Sequence, residues 1–173
     1  MSAAKSRAHD IRRVRRQRRH SCWDHLVIAP LWVAYQANLG TLLRTCDAAG
    51  ACIALPDTDH YHQALSVGDS RRLRDRTCIH WLNTGKDRWV RKQREAGWRI
   101  VVVELAESAV ALPRLQPASE RTVVLLGHET TGVPDEHVGQ ADVCVEIPMV
   151  GIGASLNVAV AGSLVLYRLA GLA

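Results

Sequence analysis

Short runs of β-branched and aliphatic residues alternate along this chain with longer segments whose apolar positions recur every three to four residues. Trp23 to Ala29 reads as a first buried strand, ended by Pro30. In the next segment Leu39, Leu42, Leu43, Cys46 and Ala49 fall at i, i+3, i+4, i+7 and i+10, which predicts a helix capped by Asn38 and stopped by Gly50. Ala51 to Leu55 predicts a second strand, 57–75 is polar and poorly patterned, and Thr77 to Leu82 is a strand candidate. Thr84 to Ala96 predicts a helix with Gly97 as its stop. Three further apolar runs, Arg99 to Leu105, Arg121 to Leu126 and Val143 to Ile147, read as strands, with a helix beginning at Pro134 between the last two. After Pro148 and the Gly151/Gly153 segment an apolar helix restarts at Ser155, broken by Gly162. Strands without polar alternation, separated by helices, imply an α/β fold around a parallel sheet.

Composition narrows the class. At 173 residues and 47% hydrophobic, the chain fits one domain with a sizeable core. No apolar run approaches the roughly 18 residues of a membrane span. The net charge of +5 conceals a division: residues 1–20 carry eight cations against Asp10, so everything after them sums to −2. The expectation is a basic arm over 1–20, disordered alone and binding RNA through Arg12, Arg13, Arg15, Arg16, Arg18 and Arg19, joined to a domain over 21–173. No apolar segment follows those arginines as a secretory signal requires, so a cytoplasmic address is expected. Further cations, among them Arg71 and Arg72 and those of the 84–96 helix, suggest a phosphate-contacting rim, although solvated helix faces explain such charge as readily.

Several chemistries fail on spacing. Cys22, Cys46, Cys52, Cys78 and Cys144 form no C-x-x-C pair and are read as reduced thiols, and His128-Glu129 does not extend to H-E-x-x-H, so no metal is expected. Gly151-x-Gly153 lacks the third glycine and the downstream acid of a dinucleotide site. No G-x-x-x-x-G-K-[ST] is present, and Ser155 has no nucleophile-elbow setting.

What remains is a set of three motifs in order. They are N-L-G-x-x-x-R-T-x-D-A-x-G from Asn38, L-L-G-x-E-x-x-G-V from Leu125, and I-P-M-x-G-x-x-x-S-L-N-V-x-V-A from Ile147. Together they closely resemble the three motifs of the SpoU/TrmH family of RNA 2'-O-ribose methyltransferases in the SPOUT superfamily. The resemblance covers about 24–169, and its wording is nearest to the tRNA guanosine-18 branch.

The resemblance implies a Rossmann-like α/β fold with a C-terminal deep trefoil knot, S-adenosylmethionine as methyl donor, and a homodimer that shares its active site. By similarity Gly127, Ile147 and Leu156 would touch the donor, with Met149 and Val103 nearby, while Asn38, Arg44, Glu129, Ser155 and Asn157 match the functional polar positions. In-line methyl transfer to a hydroxyl needs oxygen, carbon and sulfur aligned at about 3 Å, plus a way to accommodate the departing proton. The family's proposed base falls at Arg44, but a guanidinium stays protonated at neutral pH. Arg44 is therefore expected to stabilise the developing alkoxide and the adjacent phosphate, whether or not it accepts the proton. Glu129 and Asn38 would orient it, and Ser155 and Asn157 would begin the last helix. The chain ends at Ala173 without the extension of tRNA-specific relatives, a role the arginine arm would take over. tRNA is the favoured substrate and ribosomal RNA the alternative. A catalytically silent RNA-binding knot protein is the reading from another class.

Overall fold

The computed structural model describes residues 23–68, 70–75 and 77–173. The arginine-rich segment expected to be an arm lies outside the described residues, as does Arg76. Seven parallel strands form one sheet in the order β3-β2-β1-β6-β4-β7-β5. They span Trp23–Ala29 (β1), Ala51–Pro56 (β2), Ile79–Leu82 (β3), Arg99–Val103 (β4), Val110–Ala111 (β5), Thr122–Leu125 (β6) and Val143–Glu146 (β7). Helices are Gln36–Ala49 (α1), Asp59–Ala64 (α2), Ser70–Arg74 (α3), Lys86–Glu95 (α4), Asp135–Gly139 (α5) and Val158–Leu169 (α6).

The apolar runs form strands because both faces are covered. Leu26, Ile28, Ile53, Val101 and Val124 point into one core with Leu39, Leu42 and Leu43 of α1 and Val165 and Leu166 of α6. Their neighbours Val27, Ala54, Ile100, Val102 and Val123 point the other way, into a second core with Val90 of α4. Successive side chains alternate faces, so a strand covered on both sides is apolar throughout.

Helix α1 ends as expected, on Gly50 in the left-handed region at φ 73°. It starts earlier than predicted, however: Tyr35 occupies the N-cap and Asn38 sits within the first turn, its side chain turned away from capping. Helix α6 starts later than predicted, at Val158. The Asn157 carboxamide oxygen accepts from the backbone N–H groups of Ala159 (2.9 Å) and Val160 (3.2 Å), so Ser155 precedes the helix and does not begin it. Nor does Gly162 break α6. A Cβ there would press on Leu126, on Leu42 (3.0 Å) and on Ile28 (3.2 Å), so the glycine lets α6 lie close against the sheet and α1. The polar stretch after β2 folds into α2 and α3, and the two-residue edge strand β5 was not anticipated.

Candidate functional site

In parallel α/β sheets the carboxyl ends of the strands are where ligands settle, because loops diverge there and leave a crevice. Here the ends of β4, β6 and β7 open onto a cavity of about 460 Å³, within the roughly 300–1,000 Å³ usual for small-molecule sites. Val103, Leu126 and Val145 floor it; Gly127 to Thr130 and Gly132 form one wall, and Ile147, Met149 and Ala154 to Val158 the other. All five residues expected near a donor, Val103, Gly127, Ile147, Met149 and Leu156, are among the lining, together with Glu129, Ser155 and Asn157.

The first wall is built by close backbone approach. His128 and Gly132 exchange two backbone hydrogen bonds at 2.9 Å, closing a tight turn. Gly132 adopts φ 70°, a left-handed value that favours glycine. Gly127 faces the same turn, and a Cβ there would collide with the backbone of Gly132 and Val133. Glu104, at the end of β4, accepts from the Val133 N–H (3.0 Å) and the Leu105 N–H (3.1 Å), fastening the turn to the sheet.

Glu129 extends from that turn to the loop before α1. Its Oε2 accepts from Ala34 N–H (2.9 Å), and its Oε1 from Tyr35 N–H (3.1 Å) and from the Asn38 side-chain amide (2.7 Å). Burial alone would raise its carboxyl pKa, but these hydrogen bonds outweigh it and hold the group below the usual carboxylate range. Asn38, only 7% exposed, accepts in turn from the Asn157 side-chain amide at 3.0 Å. Asn157 then caps α6, so one relay of side chains joins the three motifs. From below, the Tyr61 hydroxyl donates to the carbonyls of Leu31 (2.7 Å) and Pro30 (3.2 Å), which steadies the loop that Glu129 grips.

The structure does not bring every expected residue together. Arg44 lies on the exposed side of α1, outside the lining of this cavity, and Arg71 and Arg72 lie exposed on α3. Two acidic lining residues were not expected, Glu104 and Glu146, at the carboxyl ends of β4 and β7. An acidic residue closing an apolar strand was the available signal. With Glu129 they place three carboxylates around the cavity, and no Lys or Arg lines it among the described residues.

Comparison with known proteins fits this geometry. The model of the SpoU rRNA Methylase family matches residues 25–167. The tRNA (guanosine(18)-2'-O)-methyltransferase of Thermus thermophilus is 30% identical over 143 residues, covering 76% of this chain and 66% of its own length. Among solved structures, the Aquifex aeolicus TrmH/SpoU tRNA modifying enzyme superposes with TM-score 0.77 at 24% identity, over 94% of this chain and 83% of that one. An AdoMet-bound rRNA methyltransferase from Sinorhizobium meliloti gives 0.72 at 30% identity, over 83% of this chain and 55% of that one. This chain thus spans about two thirds or less of the length of the curated relatives it matches. The glycine turn, the carboxylate relay and a match running through nearly the whole described body lead to one conclusion: the chain belongs to the SpoU rRNA methylase family.

Proposed function

We propose that this chain transfers a methyl group from S-adenosylmethionine to a ribose 2'-hydroxyl of RNA, with tRNA at a guanosine-18-type position as the favoured acceptor. The observation that carries the reading is the cavity's charge: three carboxylates, Glu104, Glu129 and Glu146, with no Lys or Arg in the lining. Bound there, S-adenosylmethionine supplies an electrophilic methyl group on a positively charged sulfur. Carboxylates around an apolar crevice favour such a cation, whereas they would repel a phosphate ligand. Val103, Gly127, Ile147, Met149 and Leu156 would hold the donor, and the absence of a Cβ at Gly127 keeps the turn tight beside it. Glu129, Asn38 and Asn157 act by fixing the loops, which is the orientation that a displacement reaction needs, and Ser155 would face the bound donor from the opposite wall.

The acceptor must come from outside this acidic crevice. Arg44 stands on the exposed side of α1, so the reading assigns it to the cavity of a second copy, where its guanidinium stabilises the developing alkoxide and the neighbouring phosphate. A homodimer is supported by the exposed apolar Val150, Ile152, Val160 and Leu164. The segment over 147–157 would be threaded as a deep trefoil knot, and segment 1–20, with Arg71 and Arg72, would contact RNA. No helix of the described residues is long and apolar enough to cross a membrane.

The test is incubation with total RNA and labelled donor, followed by mapping of ribose methylation. Methylation at tRNA guanosine supports the reading; labelling of ribosomal RNA supports the second reading, which the Sinorhizobium relative's description favours. Donor binding by calorimetry separates both from a silent RNA binder. Arg44→Ala is expected to lower transfer by about 10³-fold with donor affinity preserved; activity near wild type would refute its role. Deleting residues 1–20 should flatten the salt dependence of RNA binding.

A further inference from the structure

On the sheet face turned away from α1 and α6, strand β2 brings the Cys52 thiol to the Cys78 thiol and the His80 imidazole beside β3. Cys52 packs into the core on that face, with Cys78 partly buried against the same cluster. Sγ of Cys52, Sγ of Cys78 and a ring nitrogen of His80 all lie within 4.8 Å of one another. Cys78 Sγ and His80 Nε2 are already 3.2 Å apart. Strand pairing causes this: Ile53 is in register with Ile79, and the Ile53 N–H donates to the Cys78 carbonyl at 2.9 Å. Cys52 and Cys78 are therefore neighbours across the two strands, and the two-residue period puts His80 on the same face as Cys78.

We propose that Cys52, Cys78 and His80 bind one zinc ion, with water in the fourth position. Two thiols and one imidazole are a soft donor set, suited to zinc and poorly suited to magnesium or calcium. Tetrahedral zinc, with bonds of about 2.3 Å to sulfur and about 2.1 Å to nitrogen, needs its ligand atoms roughly 3.5–3.8 Å apart. From the 4.8 Å bound the cluster needs at most about 1.3 Å of side-chain closure, while the Cys78–His80 pair at 3.2 Å opens by a few tenths of an ångström. Exposure is graded, with Cys52 buried, Cys78 intermediate and His80 exposed. That gradient leaves an entry path and room for a water ligand.

The position sets the metal apart from methyl transfer. Cys52 lies near the start of β2, Cys78 just before β3 and His80 near its start, whereas the methyl-donor cavity opens at the opposite, carboxyl ends of β4, β6 and β7. Strand β3 is a four-residue edge strand bonded only to β2. A metal joining the two strands would hold this edge in place and steady the preceding segment, which carries α2, α3 and the cations Arg71 and Arg72.

The full-length protein, reduced and freed of metal with a chelator, is titrated with Co²⁺ and then Zn²⁺. One equivalent of cobalt should give thiolate-to-cobalt charge transfer and tetrahedral absorption, both abolished by zinc. Cys78→Ser and His80→Ala should each weaken binding more than about tenfold, while Cys144→Ser, remote from the cluster, should leave it intact. Zinc should also raise the melting temperature of the wild type and not that of His80→Ala, a variant at an exposed position that spares the core. The proposal is overturned if no thiolate band develops at one equivalent, or if the band survives both variants. Loss of two titratable thiols to a Cys52–Cys78 disulfide in metal-free protein, with no cobalt binding after reduction, overturns it too.

Discussion

Two loops meet over the cavity, and they are built in opposite ways. The 127–133 turn after β6 is fixed at every point: His128 bonds Gly132, Glu104 holds Val133, and Glu129 grips Ala34, Tyr35 and Asn38. Across the cavity, residues 147–156 after β7 make no hydrogen bond among the described residues until Asn157 is reached, and Val150 and Ile152 are fully exposed. One wall is organised before any ligand arrives. The other presents exposed apolar side chains and backbone that water alone contacts. A rigid wall defines where a ligand sits, and a compliant wall can close on it, so the two halves divide precision from adaptability.

The strongest way to break the contrast is Gly127→Ala. The new methyl group must displace the backbone of Gly132 and Val133, with an expected cost of about 3 kcal/mol in denaturant unfolding and loss of measurable donor binding by calorimetry. Unchanged stability would mean that the turn is as yielding as its counterpart. Asn38→Ala comes next, at about 2 kcal/mol, because Glu129 and Asn157 each lose a partner. Urea midpoints measure that loss, and a donor-affinity loss no larger than that of an exposed control would remove the relay from the site.

Glu129→Gln is milder, about 1 kcal/mol at neutral pH after discounting for solvent access. Its signature is in the pH profile. The folded carboxyl is held below its ordinary value, so its contribution is fully present above the unfolded value of roughly 4.3 and is lost as pH falls through the folded one. The gap between wild type and variant should therefore narrow on acidification from about pH 5; a constant gap would show that charge is irrelevant there. The smallest stability effect is expected from Ser155→Ala, exposed in the compliant loop, within about 0.5 kcal/mol. Hydrogen exchange sharpens the same contrast: donor should slow exchange over 148–156 while leaving 128–133 nearly as protected as before. Equal slowing of both loops would erase the distinction.

Much of the scaffold was legible because its signals are local. Strands β2, β4, β6 and β7 and the Leu26–Ala29 half of β1 carry apolar runs, as burial on both faces requires, and Gly50 marks the end of α1. Helix starts were less legible. Asn38 has the chemistry of a cap, but Glu129 claims its side chain from far along the chain, and no local pattern encodes that partner. Asn157 was assigned to the start of the last helix on the motif alone; its actual task, capping, moves that start to Val158. Strand β5 is too short to carry a period. Within the site, the motif residues converge on one cavity apart from Asn38, which supports it from behind, and Arg44, which lies outside it. Glu104 and Glu146 were missed because a single acid at a strand end differs from a surface charge only once the neighbouring loops are in place.

The order of the sheet also bears on how the protein is made. Its middle seam joins β1 to β6, pairing Leu26 with Thr122 and Val27 with Val123, so β1 must await a strand emerging roughly a hundred residues later. Until then one edge of β1 is bare, apolar on both faces, and open to wrong partners. Refolding should be slow for a protein of this size, and yield should fall with concentration. A growing chain on the ribosome, isolated from its copies, has an advantage that a denatured solution lacks.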